Sequence, residues 1–173
     1  ITISEFSKRE LIERLDVPAD KIHVIPPGID PSSGSPRLSA LSPAKVLFVG
    51  SVFNRRPVTD LIRAFAPIAR THPDAVLDIV GDNRSYPRED LRQTIASEQL
   101  QSQVRWHEYV TDEQLASLYA EAGAFAFLSE YEGLGLTPLE ALAAGIPPLP
   151  RVPAGAQTGE AGGGGRGGTS GWA

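Results

Sequence analysis

Two glutamates, Glu132 and Glu140, stand eight residues apart around a glycine-bearing turn in the stretch Leu128 to Pro148, L-S-E-Y-E-G-L-G-L-T-P-L-E-A-L-A-A-G-I-P-P. Gly133 and Gly135 let the backbone turn tightly and approach a ligand closely. Thr137 suits a helix N-cap, Pro138 the first helical position, and Glu140 falls three residues after the cap. A loop that feeds a helix N-terminus gathers unpaired N–H groups and the positive end of the helix dipole, which is a site for a phosphate or another oxyanion. Carboxylates beside it add acceptors for hydroxyls, and phosphate with hydroxyls is the chemistry of a sugar nucleotide. The same residues admit a plainer account, with Glu140 as the third-position partner of a capping box and Glu132 as a solvated loop charge. A second pair, Arg55 and Arg56, ends the loop G-S-V-F-N-R-R that begins at Gly50 and Ser51. Adjacent arginines at the carboxyl end of a strand can clamp a diphosphate through charge-assisted hydrogen bonds, or simply remain a solvated pair.

These residues need elements to hold them. Ile1 to Ser4 reads as the end of a strand, Ser7 to Glu10 as a capping box for a helix to about Leu15, and His23 to Ile25 as a short strand before the turn Pro26-Pro27-Gly28. The Pro- and Ser-rich run from Asp30 to Pro43 reads as a linker. Strands are expected at Lys45 to Gly50, Val76 to Gly81, Val104 to His107 and Phe125 to Leu128. Helices are expected at Thr59 to Thr71, kinked by Pro67, at Arg88 to Ser97, and from a Thr111 cap to about Ala120. Gly145 and Pro147 stop the helix that carries Glu140. Alternating strands and helices specify a parallel α/β sheet covered on both faces, with ligands beyond the carboxyl ends of its strands.

Composition narrows the classes. The chain has 173 residues, no cysteine and a net charge of −5, which excludes a disulfide framework, a thiolate metal site and broad nucleic-acid affinity. His23, His72 and His107 show no metal-ligand spacing, and no D-x-D, P-loop or G-x-G-x-x-G motif is present. No apolar run is long enough to span a membrane and no signal peptide is visible, so a cytoplasmic protein is the default expectation. The chain opens inside a pattern, as a fragment would.

The stretch S-E-Y-E-G-L-G-L-T-P-L-E-A-L-A-A-G-I-P resembles the E-x7-E signature of retaining glycosyltransferases of the two-Rossmann-domain (GT-B) kind, glycosyltransferase family 4 or group 1. Leu134 stands where Phe is usual and Thr137 where Pro is. The opening I-T-I-S-E-F-S-K-R-E-L and D-K-I-H-V-I-P-P-G-I-D resemble the family's segment joining acceptor and donor domains, and D-E-Q-L-A-S-L-Y-A-E-A its helix D-E-x-L-x-x-x-Y-x-x-A. Leu115, Leu118 and Tyr119 on that helix read as one structural apolar face.

The resemblance implies a Rossmann-like donor-binding domain over 45–150, preceded by an interdomain segment and linker over 1–44 and incomplete at its C-terminal end. It implies a nucleotide-diphosphate-sugar donor, transfer without a metal or other cofactor, and a missing N-terminal acceptor domain, which leaves room for peripheral membrane association through that domain. Glu132 is then the catalytic-site carboxylate at the sugar. Gly50, Ser51, Arg55, Arg56, Tyr109, Val110, Gly133, Leu134, Gly135, Leu136, Thr137 and Glu140 are donor-binding, with Glu140 on the ribose, the arginines on the diphosphate and Tyr109-Val110 beside the base. Ser51 stands where many members carry Arg. Two other readings stay open: a non-catalytic sugar-nucleotide-binding module and a sugar-nucleotide epimerase of the same architecture.

Residues 151–173 break the pattern. Nine of the 17 glycines lie in the last 19 residues, and such a segment cannot bury enough apolar surface to order itself. A truncated or shifted reading frame in a GC-rich gene, hinted at by 13 Arg against 3 Lys, accounts for it, as does a native flexible tail. Limited proteolysis is expected to trim the chain from about Ala154 first. Protection of that segment from protease and hydrogen exchange would refute the expectation.

Overall fold

The computed structural model describes residues 1–29, 44–54, 56–129 and 132–150. The linker expected at 30–43 and the tail at 151–173 lie outside the described residues. Helix α1 spans Glu5–Leu15. The rest alternates: β1 Lys45–Val49, α2 Val58–Thr71, β2 Val76–Val80, α3 Leu91–Ser97, β3 Val104–His107, α4 Asp112–Glu121, β4 Ala124–Phe127, α5 Leu136–Ala143 and β5 Pro148–Pro150. The five strands form one parallel sheet in the order β3-β2-β1-β4-β5. The α/β, Rossmann-like architecture expected from the alternation is what the chain adopts.

Strand residues serve two layers in turn, because successive side chains point to opposite faces. Phe48, Leu77 and Ile79 pack with Ile62 and Phe65 of α2 and Leu91 and Ile95 of α3. Leu47, Val80 and Phe125 pack with Tyr119 of α4 and Ala141 of α5. Helices therefore cover both faces. Burying a side chain such as Leu47 or Phe125, both 1% exposed or less, stabilises by about 1.5–3 kcal/mol. Asp78, on β2, is 5% exposed and is satisfied by His107 of β3, whose Nε2 lies 2.9 Å from Asp78 Oδ1.

Several boundaries differ from the sequence expectation, each for a local reason. Helix α1 begins at Glu5 because Ser4, not Ser7, caps it, accepting from Ser7 N. Helix α3 begins at Leu91, capped by Asp90, which accepts from Gln93 N. Thr111 caps α4 as expected, and Gln114 completes a capping box. Helix α2 runs on through Pro67 as one element. Pro67 is exposed, so the carbonyl of Arg63 that it cannot bond lies on the solvent side. The strands expected near Ile1 to Ser4 and His23 to Ile25 reduce to a single bridge, Thr2 to Val24. β4 ends one residue earlier than expected, and the apolar remnant around Ile146 to Leu149 forms β5 despite its prolines.

The order β3-β2-β1-β4-β5 reverses between β1 and β4. The chain builds outward from β1 through β3, then returns to lay β4 on the other side of β1. The loops after β1 and β4 thus leave neighbouring strands in opposite directions and open a crevice between them.

On the other side of β1, where it pairs with β2, the two strand ends lie very close. Gly81, at φ +139°, faces the Gly50 carbonyl, and a Cβ there would sit 2.3 Å from that oxygen. Gly81→Ala is expected to lower unfolding free energy by roughly 1–3 kcal/mol, the cost of a strained backbone position. Urea unfolding measures it, and a change within the about 0.5 kcal/mol of an ordinary surface substitution would contradict the close approach.

Candidate functional site at the reversal between β1 and β4

Arg56 and Glu132 meet across this crevice. Arg56 follows β1 and is braced along its length: Nε donates to Ser129 Oγ at 2.8 Å, Nη1 reaches the Ser51 carbonyl at 3.3 Å, and Nη2 pairs with Glu132 Oε1. Ser129 Oγ in turn donates to Glu132 Oε1 at 2.5 Å. The arrangement is a closed triangle of cation, hydroxyl and carboxylate. Both charged side chains are mostly sequestered, 17% and 22% exposed. Gly50 makes room for it, since a Cβ there would lie 2.8 Å from Arg56 Nη1.

Beside the triangle, Gly133 to Gly135 lead into α5. Gly135 adopts φ +75°, a left-handed conformation natural to glycine, and serves as the N-cap. Thr137 is therefore inside the first turn, not at the cap, and Glu140 is not a capping-box partner. The earlier start follows from that left-handed glycine, which turns the chain into helical geometry two residues before Thr137. Among the described residues no side chain caps α5, which leaves the N–H groups of Leu136, Thr137 and Leu139 in its first turn to an anion. The glycine loop is tied to the chain's opening segment, for Ser4 Oγ donates to the Gly133 carbonyl.

Glu140, freed from capping, is held by a residue that the sequence placed only in the core. Tyr119 of α4 donates from its hydroxyl to Glu140 Oε2 at 3.0 Å. The residues expected at the site are thus divided. Arg56, Glu132 and Gly50 come together, with Gly133 to Thr137 alongside. Ser51 instead hydrogen-bonds Asp82, and this bond, followed by one from Arg84, holds the Asp82 carboxyl below the usual carboxylate range. Tyr109 is 87% exposed, whereas Val110 packs onto the core layer of α4 and α5. Arg55 lies outside the described residues. Ser129 and Tyr119 were missed as site residues. For Ser129 the signal was its place at the head of the S-x-x-E motif; for Tyr119 it was a hydroxyl on an otherwise apolar face. Among the described residues no group of three or more His, Cys, Asp or Glu is placed to hold a metal.

Comparison with known proteins agrees with this architecture. Residues 36–156 match the model for "Glycosyl transferases group 1", and residues 1–33 match "Glycosyltransferase Family 4". The chain belongs to the group 1 glycosyltransferase family, as its C-terminal domain of GT-B type. It is 29% identical over 157 residues to the O-antigen chain mannosyltransferase B of Escherichia coli, covering 85% of this chain and 41% of that protein. It is 29% identical over 153 residues to the mannosylfructose-phosphate synthase of Agrobacterium fabrum, covering 79% of this chain and 34% of that protein. The chain thus spans well under half the length of these relatives. Its fold matches S. aureus TarM, solved with UDP, at TM-score 0.71 and 17% identity, covering 86% of this chain and 29% of that one. It also matches the isolated C-terminal domain of the group 1 protein LpcC from Francisella tularensis, at TM-score 0.60 and 18% identity, covering 71% and 70%.

The Tyr119–Glu140 contact has a pH signature. Burial, then the Glu140 carboxylate, push the Tyr119 hydroxyl far above the ordinary tyrosine range. A pKa raised in the folded state gives a contribution that is complete below the unfolded value of about 10 and is lost as pH rises beyond it. Stability should therefore fall by up to about 1.4 kcal/mol per pH unit above roughly pH 10. Tyr119→Phe should remove that share of the slope, as read by urea unfolding across the alkaline range; an unchanged slope would count against the contact.

Proposed function

We propose that this chain is the donor-binding part of a retaining, metal-independent glycosyltransferase that moves a hexose from a nucleotide-diphosphate sugar to a glycan, lipid or small-molecule acceptor in the cytoplasm. The observation that carries the reading is the meeting of Arg56 and Glu132 across the β1–β4 reversal, beside the uncapped N-terminus of α5. In this reading the N–H groups of α5's first turn and Arg56 receive the diphosphate. Their fixed positive character stabilises the charge that develops on it as the sugar leaves. Glu132 accepts from the sugar hydroxyls, and Glu140, eight residues on, accepts from the ribose. The names of the relatives, a mannosyltransferase and a sugar-phosphate synthase, support sugar transfer as the chemistry. The full activity belongs to a longer assembly, since positioning both reactants supplies much of a transferase's rate.

The Arg56–Glu132 pair alters one expectation. With Glu132 assigned to the sugar, as the sequence resemblance implies, Glu132→Gln would leave nucleoside diphosphate binding almost unchanged. With Glu132 neutralising Arg56, Glu132→Gln keeps an acceptor for Nη2 but removes the charge, so affinity for the free nucleoside diphosphate should rise by about threefold to fivefold. Affinity for the intact sugar nucleotide should not share that gain. Glu140→Gln should weaken nucleoside diphosphate binding by roughly tenfold or more. Calorimetry with UDP, GDP and ADP, together with melting temperatures, measures both. Equal losses of stability in the two variants with no selective change in affinity would make the carboxylates structural and defeat the proposal. The chain alone should show no sugar transfer.

A further inference from the structure

Tyr119 is a core residue with one polar atom. It is 4% exposed, and its ring lies stacked on Phe125 of β4, with centroids 6.0 Å apart and planes 14° from parallel. Packing alone would be served equally by phenylalanine, and burying a hydroxyl is costly unless it is bonded. The hydroxyl crosses from α4 to α5 and donates to Oε2 of Glu140. That acceptor is neither a backbone carbonyl nor another core group. It is a carboxylate that is itself only half-buried, on the helix whose N-terminus borders the crevice.

An ionised carboxylate has two oxygens and about four lone-pair positions. A glutamate on a helix surface would otherwise sample several rotamers, and ordering such a side chain is entropically unfavourable. The tyrosine ring has little freedom of its own once it is stacked and buried, so it fixes one oxygen and leaves the other for a ligand.

We infer that Tyr119 is a positioning residue for ribose recognition: by anchoring Glu140 Oε2 it presents Oε1 to the vicinal hydroxyls of a nucleoside diphosphate and biases the site toward ribonucleotides. This rests on the reading of Glu140 as the ribose acceptor. It adds a residue from a different helix, and it names the ligand feature on which that residue acts.

Tyr119→Phe keeps the ring and its packing and deletes only the hydroxyl. Binding of UDP, GDP and ADP would be compared with that of their 2′,3′-dideoxy counterparts, by calorimetry or ligand-observed NMR, for the parent chain, Tyr119→Phe, Glu140→Gln and the double variant. Tyr119→Phe should weaken the ribonucleotide by about fivefold, leave the dideoxy compound unchanged, and add nothing once Glu140 is Gln. Equal weakening of both ligands, or of neither, or a loss that persists in the Glu140→Gln background, overturns the inference and assigns the hydroxyl to stability alone. If the parent chain binds no nucleotide, or if Glu140→Gln shows no loss specific to the ribonucleotide, the proposed donor site fails and this inference fails with it.

Discussion

The parallel pairing of β1 with β4 is the constraint on which the rest depends. Val46 is in register with Ala124 and Leu47 with Phe125. Two residues from distant parts of the chain, Arg56 and Glu132, can then leave adjacent strand ends and meet. Without that register the arginine would be one more surface cation, and an exposed ion pair contributes little. Here the pair is largely sequestered and shares a hydroxyl, so both side chains are held in place before any ligand arrives. Preorganisation of this kind lowers the ordering cost that binding would otherwise carry.

On its other side β1 pairs with β2, and there the strand ends come close. A Cβ on Gly81 would strike the Gly50 backbone, and Gly50 itself clears the path of Arg56. The crevice therefore depends on the missing side chain of Gly50 as much as on the arginine beside it. The two glutamates of the motif are supported differently. Glu132 is held by charge, from a loop, and Glu140 by a neutral hydroxyl, from the core. A substitution on α4, which is remote from the glycine loop in sequence, can therefore act on the loop's neighbour without changing the fold.

Much of this was legible in the sequence, and what was not has identifiable causes. The four main strands and the helices between them follow from apolar runs and from the Thr111 cap, because those signals are local. The start of α5 was misjudged because Thr137, Pro138 and Glu140 fit a capping box in type and spacing. The left-handed Gly135 outweighs them by turning the chain earlier. The prolines of β5 disguised a strand that tertiary pairing with β4 imposes. The contact between Arg56 and Glu132 is a relation across 76 residues, and Tyr119 to Glu140 one across 21. The motif singled out Glu132 and Glu140, and the loop after β1 singled out Arg56, as candidates for one site. Only the fold shows that two of them already hold each other, and that Ser129 mediates between them.

β5 has a further property. Of Pro148, Leu149 and Pro150, only Leu149 carries a backbone N–H, so the strand can accept hydrogen bonds but offers almost none. It docks because β4 supplies the donors, as when Phe125 N donates to the Pro147 carbonyl. Another chain approaching β5 from its far side would meet a row of pyrrolidine rings where a template needs donors. This part of the sheet is thereby made a poor seed for lateral, amyloid-like stacking, and that protection is written into the same prolines that made the strand hard to recognise.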